Sequence, residues 1–213
     1  MSDKLATMSV TEFVDLLASV APAPGGGSVA ALAGVQAAAL AAMVCRLTIG
    51  RKKYAAVEAQ IIAALPKLEE ARRELLNLVD ADTEAYRMLA AAMGLPKESN
   101  EQKAARQRAM RTASKTAAKV PATTMVIALS AARLIHQLHP IANQNCLSDM
   151  GTAMQTAQTA VLGAAMNVLI NLPGTGDEVF SQEARREVDA AVREVQMLAT
   201  ETCSAIFRAL GRE

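Results

Sequence analysis

Between Tyr54 and Met93, Ile61, Leu65, Leu68, Leu75, Leu76 and Val79 recur at threes, fours and sevens. That spacing puts the apolar side chains on one side of a helix. Pro66 falls inside the run and predicts a kink or the start of a new helix. Upstream, Ser9-Val-Thr-Glu12 reads as a capping box that opens a short helix through about Val20. Pro22, Pro24, Gly25, Gly26 and Gly27 then break the chain. Ser28 is placed to cap a helix running to about Ile49, and Gly50 divides that helix from Arg51-Lys52-Lys53. Downstream, Gly94-Leu-Pro96 is a helix stop, and Ser99 caps a polar helix ending at Val120-Pro121. Its polar face carries Lys103, Arg106, Gln107, Arg108 and Arg111. An apolar helix from Ala122 to Leu138 follows, ended by His139-Pro140. After the Asn-rich loop 141–147, Ser148 or Asp149 caps a helix to Leu172. Pro173-Gly174-Thr175-Gly176 turns, and Asp177 or Ser181 opens a last helix to Leu210. With no internal repeat and no long linker, residues 1–213 are expected to form one domain of seven or eight helices.

Composition strengthens the all-α reading. The 213 residues are 52% hydrophobic but 2% aromatic, with no Trp. Ala, a helix former that lets helices approach closely, makes up about a fifth of the chain. Strands favour β-branched and aromatic side chains, and the aromatics are scarce here. A net charge of +1 excludes a polybasic nucleic-acid footprint, and few rings are left to stack on bases. Residues 28–45 and 150–176 carry no charge and approach the length of a membrane span. Gln36 interrupts the first, and several Gln, Thr and Asn residues interrupt the second. Both are expected to be interior or interface helices of a bundle, with no membrane partner. Cys45, Cys146 and Cys203 are too scattered for a disulfide framework or a zinc knuckle. The N-terminus carries Asp3 and Glu12 and lacks a signal-peptide apolar core, so a cytosolic location is expected.

Four polar clusters could carry chemistry. Gly25-Gly26-Gly27-Ser28 at a helix start is either a tight turn between close helices or an anion site. Arg51-Lys52-Lys53 is either a solvated face or a clamp for a carboxylate chain. Within Asp80-Ala-Asp82-Thr-Glu84, Asp82 shares a helix face with Tyr86. An acid in an apolar helix is solvated, paired, or a general acid/base. Asn143-Gln-Asn145-Cys-Leu-Ser148-Asp149 supplies turn and cap residues, or amides suited to the edge of a heterocycle. No Glu-x-x-His and no His-Glu-x-x-His occur, so no metal site is expected. His136 and His139 lie where a helix C-terminus favours them.

Taken in order, APAPGGGSVAALAG, LTIGRKKY, DADTEAY, GLPK, NQNCLSDMGTA and NVLINL are specific together. The chain resembles the cyclodeaminase/cyclohydrolase family from about Val10 to Leu210. The resemblance implies an all-helical homodimer with a folate site in a groove near the subunit interface. It implies one of two reactions on tetrahydrofolate. Cyclodeaminases expel ammonia from the 5-formimino compound as the ring closes to 5,10-methenyltetrahydrofolate. Cyclohydrolases add water to the methenyl bridge and give 10-formyltetrahydrofolate. The resemblance implies no cofactor for either reaction.

The resemblance assigns Asp82 as general acid/base. It assigns the turn Gly25, Gly26, Gly27 and Ser28 to developing charge, and Lys52 and Lys53 to the glutamate tail. Arg106 matches an Arg in the family's polar helix, and Asn145, Ser148 and Asp149 match its pterin-orienting loop. This chain has Ala142 where the family often has Gly, and Cys146 where a small residue is usual. The rival reading is a non-catalytic helical scaffold or folate-binding dimer.

Overall fold

The computed structural model describes residues 4–211; Asp3 lies outside them. Six α-helices make up the fold: α1 (Val10–Leu17), α2 (Gly26–Thr48), α3 (Glu58–Met93), α4 (Asn100–Leu138), α5 (Leu147–Asn171) and α6 (Glu178–Ala209). Short 3₁₀ turns fill the joints at Leu5–Thr7, Lys52–Tyr54, Gln144–Cys146 and Leu172–Thr175. No strand occurs among the described residues.

The helix count falls below the expected seven or eight because both interior prolines lie within continuous helices. Pro66 sits inside α3 and Pro121 inside α4. A proline removes one i→i−4 bond and crowds the preceding turn, at about 3 kcal/mol. Each helix packs against neighbours on both sides of its proline, through Ile61, Leu68 and Leu75 in α3 and Ala118, Met125 and Ala128 in α4. Burial of about 0.8 kcal/mol per methylene, repeated along two flanks, outweighs one lost turn.

Helices α2, α3, α4 and α5 form a four-helix bundle, with α6 packed on α5 and α4. The core is built largely from alanines of α2, α4 and α5, with Met125, Met150 and Met154 filling the gaps between them. Small side chains bring the backbones close. A Cβ on Gly163 of α5 would lie 3.1 Å from the Ala30 Cβ of α2, and one on Gly34 would lie 3.0 Å from Leu75. Helices α2 and α4 are long and apolar enough to cross a membrane by length and composition. Their apolar windows are 61% and 50% buried within the bundle.

Caps follow the expected chemistry at three of the five starts the sequence marks. Ser9 and Glu12 form a reciprocal capping box on α1, as do Ser99 and Gln102 on α4. Asp177 accepts from Phe180 N–H at the start of α6. The other two differ. Helix α2 starts at Gly26 behind Gly25, and Ser28 lies inside its first turn, bonded across to α3. Helix α5 starts at Leu147, and neither Ser148 nor Asp149 caps it. Asn143 instead closes the preceding 3₁₀ turn by accepting from Asn145 N–H. The helix expected from Tyr54 begins at Glu58, because Lys52–Tyr54 is 3₁₀.

Helices α2 and α5 run antiparallel. The start of α2 meets the end of α5 at Gly26 and Asn167. Its end meets the start of α5, where Asn143 N–H donates to Thr48 Oγ1 at 3.0 Å. The two ends of this pair hold separate polar clusters.

Candidate active site

At the first end, Asp82 of α3 faces the triglycine turn. Its neighbours in sequence are occupied elsewhere. Asp80 accepts from Leu5 N–H at 2.6 Å and ties down the N-terminal segment. Glu84 pairs with Arg87 at 3.6 Å on the surface. Asp82 is left to point at the start of α2. A Cβ on Gly27 would fall on its carboxyl oxygens, so only glycine admits the carboxylate there. A Cβ on Gly26 would lie 3.3 Å from Asn167 Nδ2, whereas one on Gly25 would meet nothing within 4 Å.

Ser28 is fully buried behind the carboxylate rather than lining the open space. Its Oγ lies 3.0 Å from Asp82 Oδ2, 3.0 Å from the Val79 carbonyl oxygen and 3.3 Å from Thr83 Oγ1. Ser28 therefore fixes the carboxyl group of Asp82. Burial holds the Asp82 carboxyl above its ordinary pKa, against the lowering effect of hydrogen bonds from the Ser28 side chain and backbone. An acid displaced in this direction is suited to exchanging a proton.

Asp82 lines a cavity of about 170 Å³. Gly25, Gly26 and Gly27 form one wall, Tyr86 and Leu89 of α3 another, and Asn167, Ile170 and Asn171 of α5 a third. The volume is close to the ~150 Å³ that takes a single aromatic ring. Among the described residues, no Lys, Arg or His lines it. Among the described residues, no three His, Cys, Asp or Glu side chains gather as a metal-binding group.

Five of the expected site residues lie at the other end. Lys52 and Lys53 are exposed in the 3₁₀ turn after α2. Asn145 and Ser148 are exposed, and Asp149 half-buried, around the start of α5. Tyr54 joins these groups: its ring lies 5.4 Å from Lys53 Nζ, and its hydroxyl accepts from Gln144 N–H at 2.9 Å. Asn143 is buried and donates to the Leu47 carbonyl at 3.0 Å, which binds the loop to the end of α2. Desolvation raises the Cys146 thiol pKa, and the nearby Asp149 adds to the rise. Between the clusters run the 23 residues of α2, or ~34 Å of helix. Within one subunit, then, Asp82 and the glycine turn do not meet Lys52, Lys53 or the Asn145 loop. Arg106 is half-buried on α4, donates to the Met93 carbonyl at 3.1 Å and does not line the Asp82 cavity.

Asn167 and Asn171 are the cavity residues to which no role fell in the sequence. Both lie in NVLINL, four residues apart and so on one helix face. That spacing of two amides at the end of an apolar helix was the available signal.

Known proteins of one family match this chain in sequence and in fold. The profile of the family described as formiminotransferase-cyclodeaminase matches residues 9–190, and the chain belongs to that family. The methenyltetrahydrofolate cyclohydrolase of Methylorubrum extorquens is 40% identical over 190 residues, covering 89% of this chain and 91% of that protein. The rat formimidoyltransferase-cyclodeaminase is 33% identical over 88% of this chain, which spans 35% of that longer protein. The crystal structure of formiminotetrahydrofolate cyclodeaminase from Thermotoga maritima superposes with a TM-score of 0.86 at 28% identity. That match covers 97% of this chain and 99% of the other.

Proposed function

We propose that the protein is a folate one-carbon enzyme that works at the carbon bridging N5 and N10 of tetrahydrofolate, with Asp82 moving the proton. It hydrolyses 5,10-methenyltetrahydrofolate to 10-formyltetrahydrofolate, forms the methenyl compound from 5-formiminotetrahydrofolate with release of ammonia, or does both. The observation that carries this reading is a half-buried carboxyl of raised pKa in a ring-sized cavity without a cation. The methenyl bridge is a positively charged amidinium, and a lone carboxylate among neutral walls favours it. The match to a cyclohydrolase over nine-tenths of both chains supports the same reading.

In the hydrolytic direction, Asp82 takes a proton from the attacking water as its oxygen bonds to the bridging carbon. The tetrahedral carbon then collapses: its hydroxyl becomes the formyl carbonyl and releases its proton to solvent, the bond to N5 breaks, and Asp82 returns the first proton to N5. In the deaminating direction, N10 attacks the carbon of the protonated formimino group and gives its proton to Asp82, which passes it to the nitrogen that leaves as ammonia. Both routes need one proton carried out and back by one group.

The protein acts as a cytosolic homodimer. The support is the outer face of α2 and α5, which carries no charge along Leu32, Gln36, Leu40 and Met43 of α2 or along Thr159, Leu162, Met166 and Ile170 of α5. An uncharged strip of this length is characteristic of an interface. Ile170 belongs both to this face and to the Asp82 cavity. A two-fold axis across the middle of the strip sets the Lys52 end of one subunit beside the Gly25 end of the other. That arrangement reunites the two polar clusters, with Lys52 and Lys53 holding the glutamate tail and the Asn145 loop at the mouth.

The methenyl compound absorbs in the near ultraviolet. Loss of that absorbance with the methenyl substrate marks the cyclohydrolase, and its gain with the formimino substrate marks the cyclodeaminase. A folded protein that does neither overturns the proposal.

A further inference from the structure

Asn171 is held with both amide hydrogens spent, and Asn167 with one of its two. Asn171 Nδ2 donates to the Ala117 carbonyl of α4 at 3.0 Å and to the Asn167 carbonyl at 2.8 Å. Both of its N–H groups are thereby spent, and the side chain cannot flip without setting oxygen against two carbonyl oxygens. Asn167 Nδ2 donates to the Gly163 carbonyl at 2.8 Å, which fixes it in the same sense. Neither Oδ1 has a hydrogen-bond partner among the described residues. No buried side-chain oxygen is left unpartnered, so these two oxygens are open to solvent, and both residues line the Asp82 cavity. Two fixed acceptors and a carboxyl group thus surround a space with no cationic donor.

We propose that Asn167 and Asn171 determine ring specificity by accepting hydrogen bonds from the donor edge of the substrate heterocycle. This deepens the folate reading and rests on it. A tetrahydropterin offers such an edge: a 2-amino group beside the ring N3–H. The wall of acceptors selects that edge and leaves an analogue without the amino group with an unpaired oxygen opposite it. Asn171 also ties α5 to α4, so loss of activity alone does not distinguish specificity from packing. The preference between two rings does, because loosened packing weakens both alike.

The test is calorimetric binding of tetrahydrofolate and of its 2-desamino-2-methyl analogue to the full chain and to Asn167→Leu and Asn171→Leu. The wild type should favour the amino ring by about tenfold or more. Each variant should lose most of that ratio. An undiminished ratio in both Leu variants overturns the proposal, as does a wild type that binds the two rings equally while still turning over folate. A wild type that binds neither ring and turns over neither substrate removes the folate reading along with it.

Discussion

The space beside Gly27 belongs to the carboxyl group of Asp82, so a methyl group there and the acid compete for one place. Gly27→Ala should therefore lower turnover at least tenfold and destabilise the fold by about 1–3 kcal/mol, read from substrate absorbance and urea midpoints. Gly25→Ala, which meets nothing, should leave the urea midpoint nearly unchanged. Asp82 also gives stability a pH dependence with a definite sign. Its folded pKa lies above the unfolded one, so its contribution is full below the unfolded carboxyl pKa and is lost as pH rises through the folded value. Wild type should lose stability relative to Asp82→Asn as pH rises from about 4, until the carboxyl is fully ionised. Urea denaturation of both proteins across that range checks the sign. The Asp82 and Gly27 pairing was partly legible in the sequence, which singled out both positions. It could not show that Ser28 supports Asp82 from behind, because that bond joins residues 54 apart.

At the scale of elements, local rules found most helix ends and misjudged what happens within helices. Capping boxes and the Gly94 stop act within four residues, so Ser9, Ser99 and Asp177 could be read directly. The weight of a proline depends on what its helix packs against, which no local window contains. Pro66 is exposed on α3, whereas Pro121 is buried in α4. Pro66→Ala restores a backbone bond without opening a cavity. It should raise the urea midpoint by the equivalent of about 1 kcal/mol, with an unchanged denaturant slope and unchanged turnover. Asn167 and Asn171 escaped a role for a related reason. At the end of an apolar helix they read as ordinary polar interruptions, and only the antiparallel meeting of α2 and α5 turns them toward the glycine turn.

At the scale of the whole molecule, the fold class was legible from alanine content and helical spacing, but the division of the site was not. Residues that resemble one family's site fall at opposite ends of α2, and the proposed two-fold dimer would bring them together in a shared site. That arrangement predicts complementation. Asp82→Asn and a Lys52→Ala/Lys53→Ala double variant, each weak alone on polyglutamylated substrate, should regain activity when mixed and allowed to exchange subunits. Each mixed dimer then holds one intact site and one doubly defective site, and a mixture that stays as weak as its parts argues for sites complete within a subunit. Beneath all of this stands the proposed proton transfer by Asp82. The most direct measurement is the rate of methenyltetrahydrofolate absorbance change, and of its appearance from the formimino compound, with Asp82→Asn against wild type at matched circular dichroism. The account predicts a loss of about a hundredfold or more in whichever reaction the wild type performs; a folded Asp82→Asn protein that keeps near-normal turnover would contradict it.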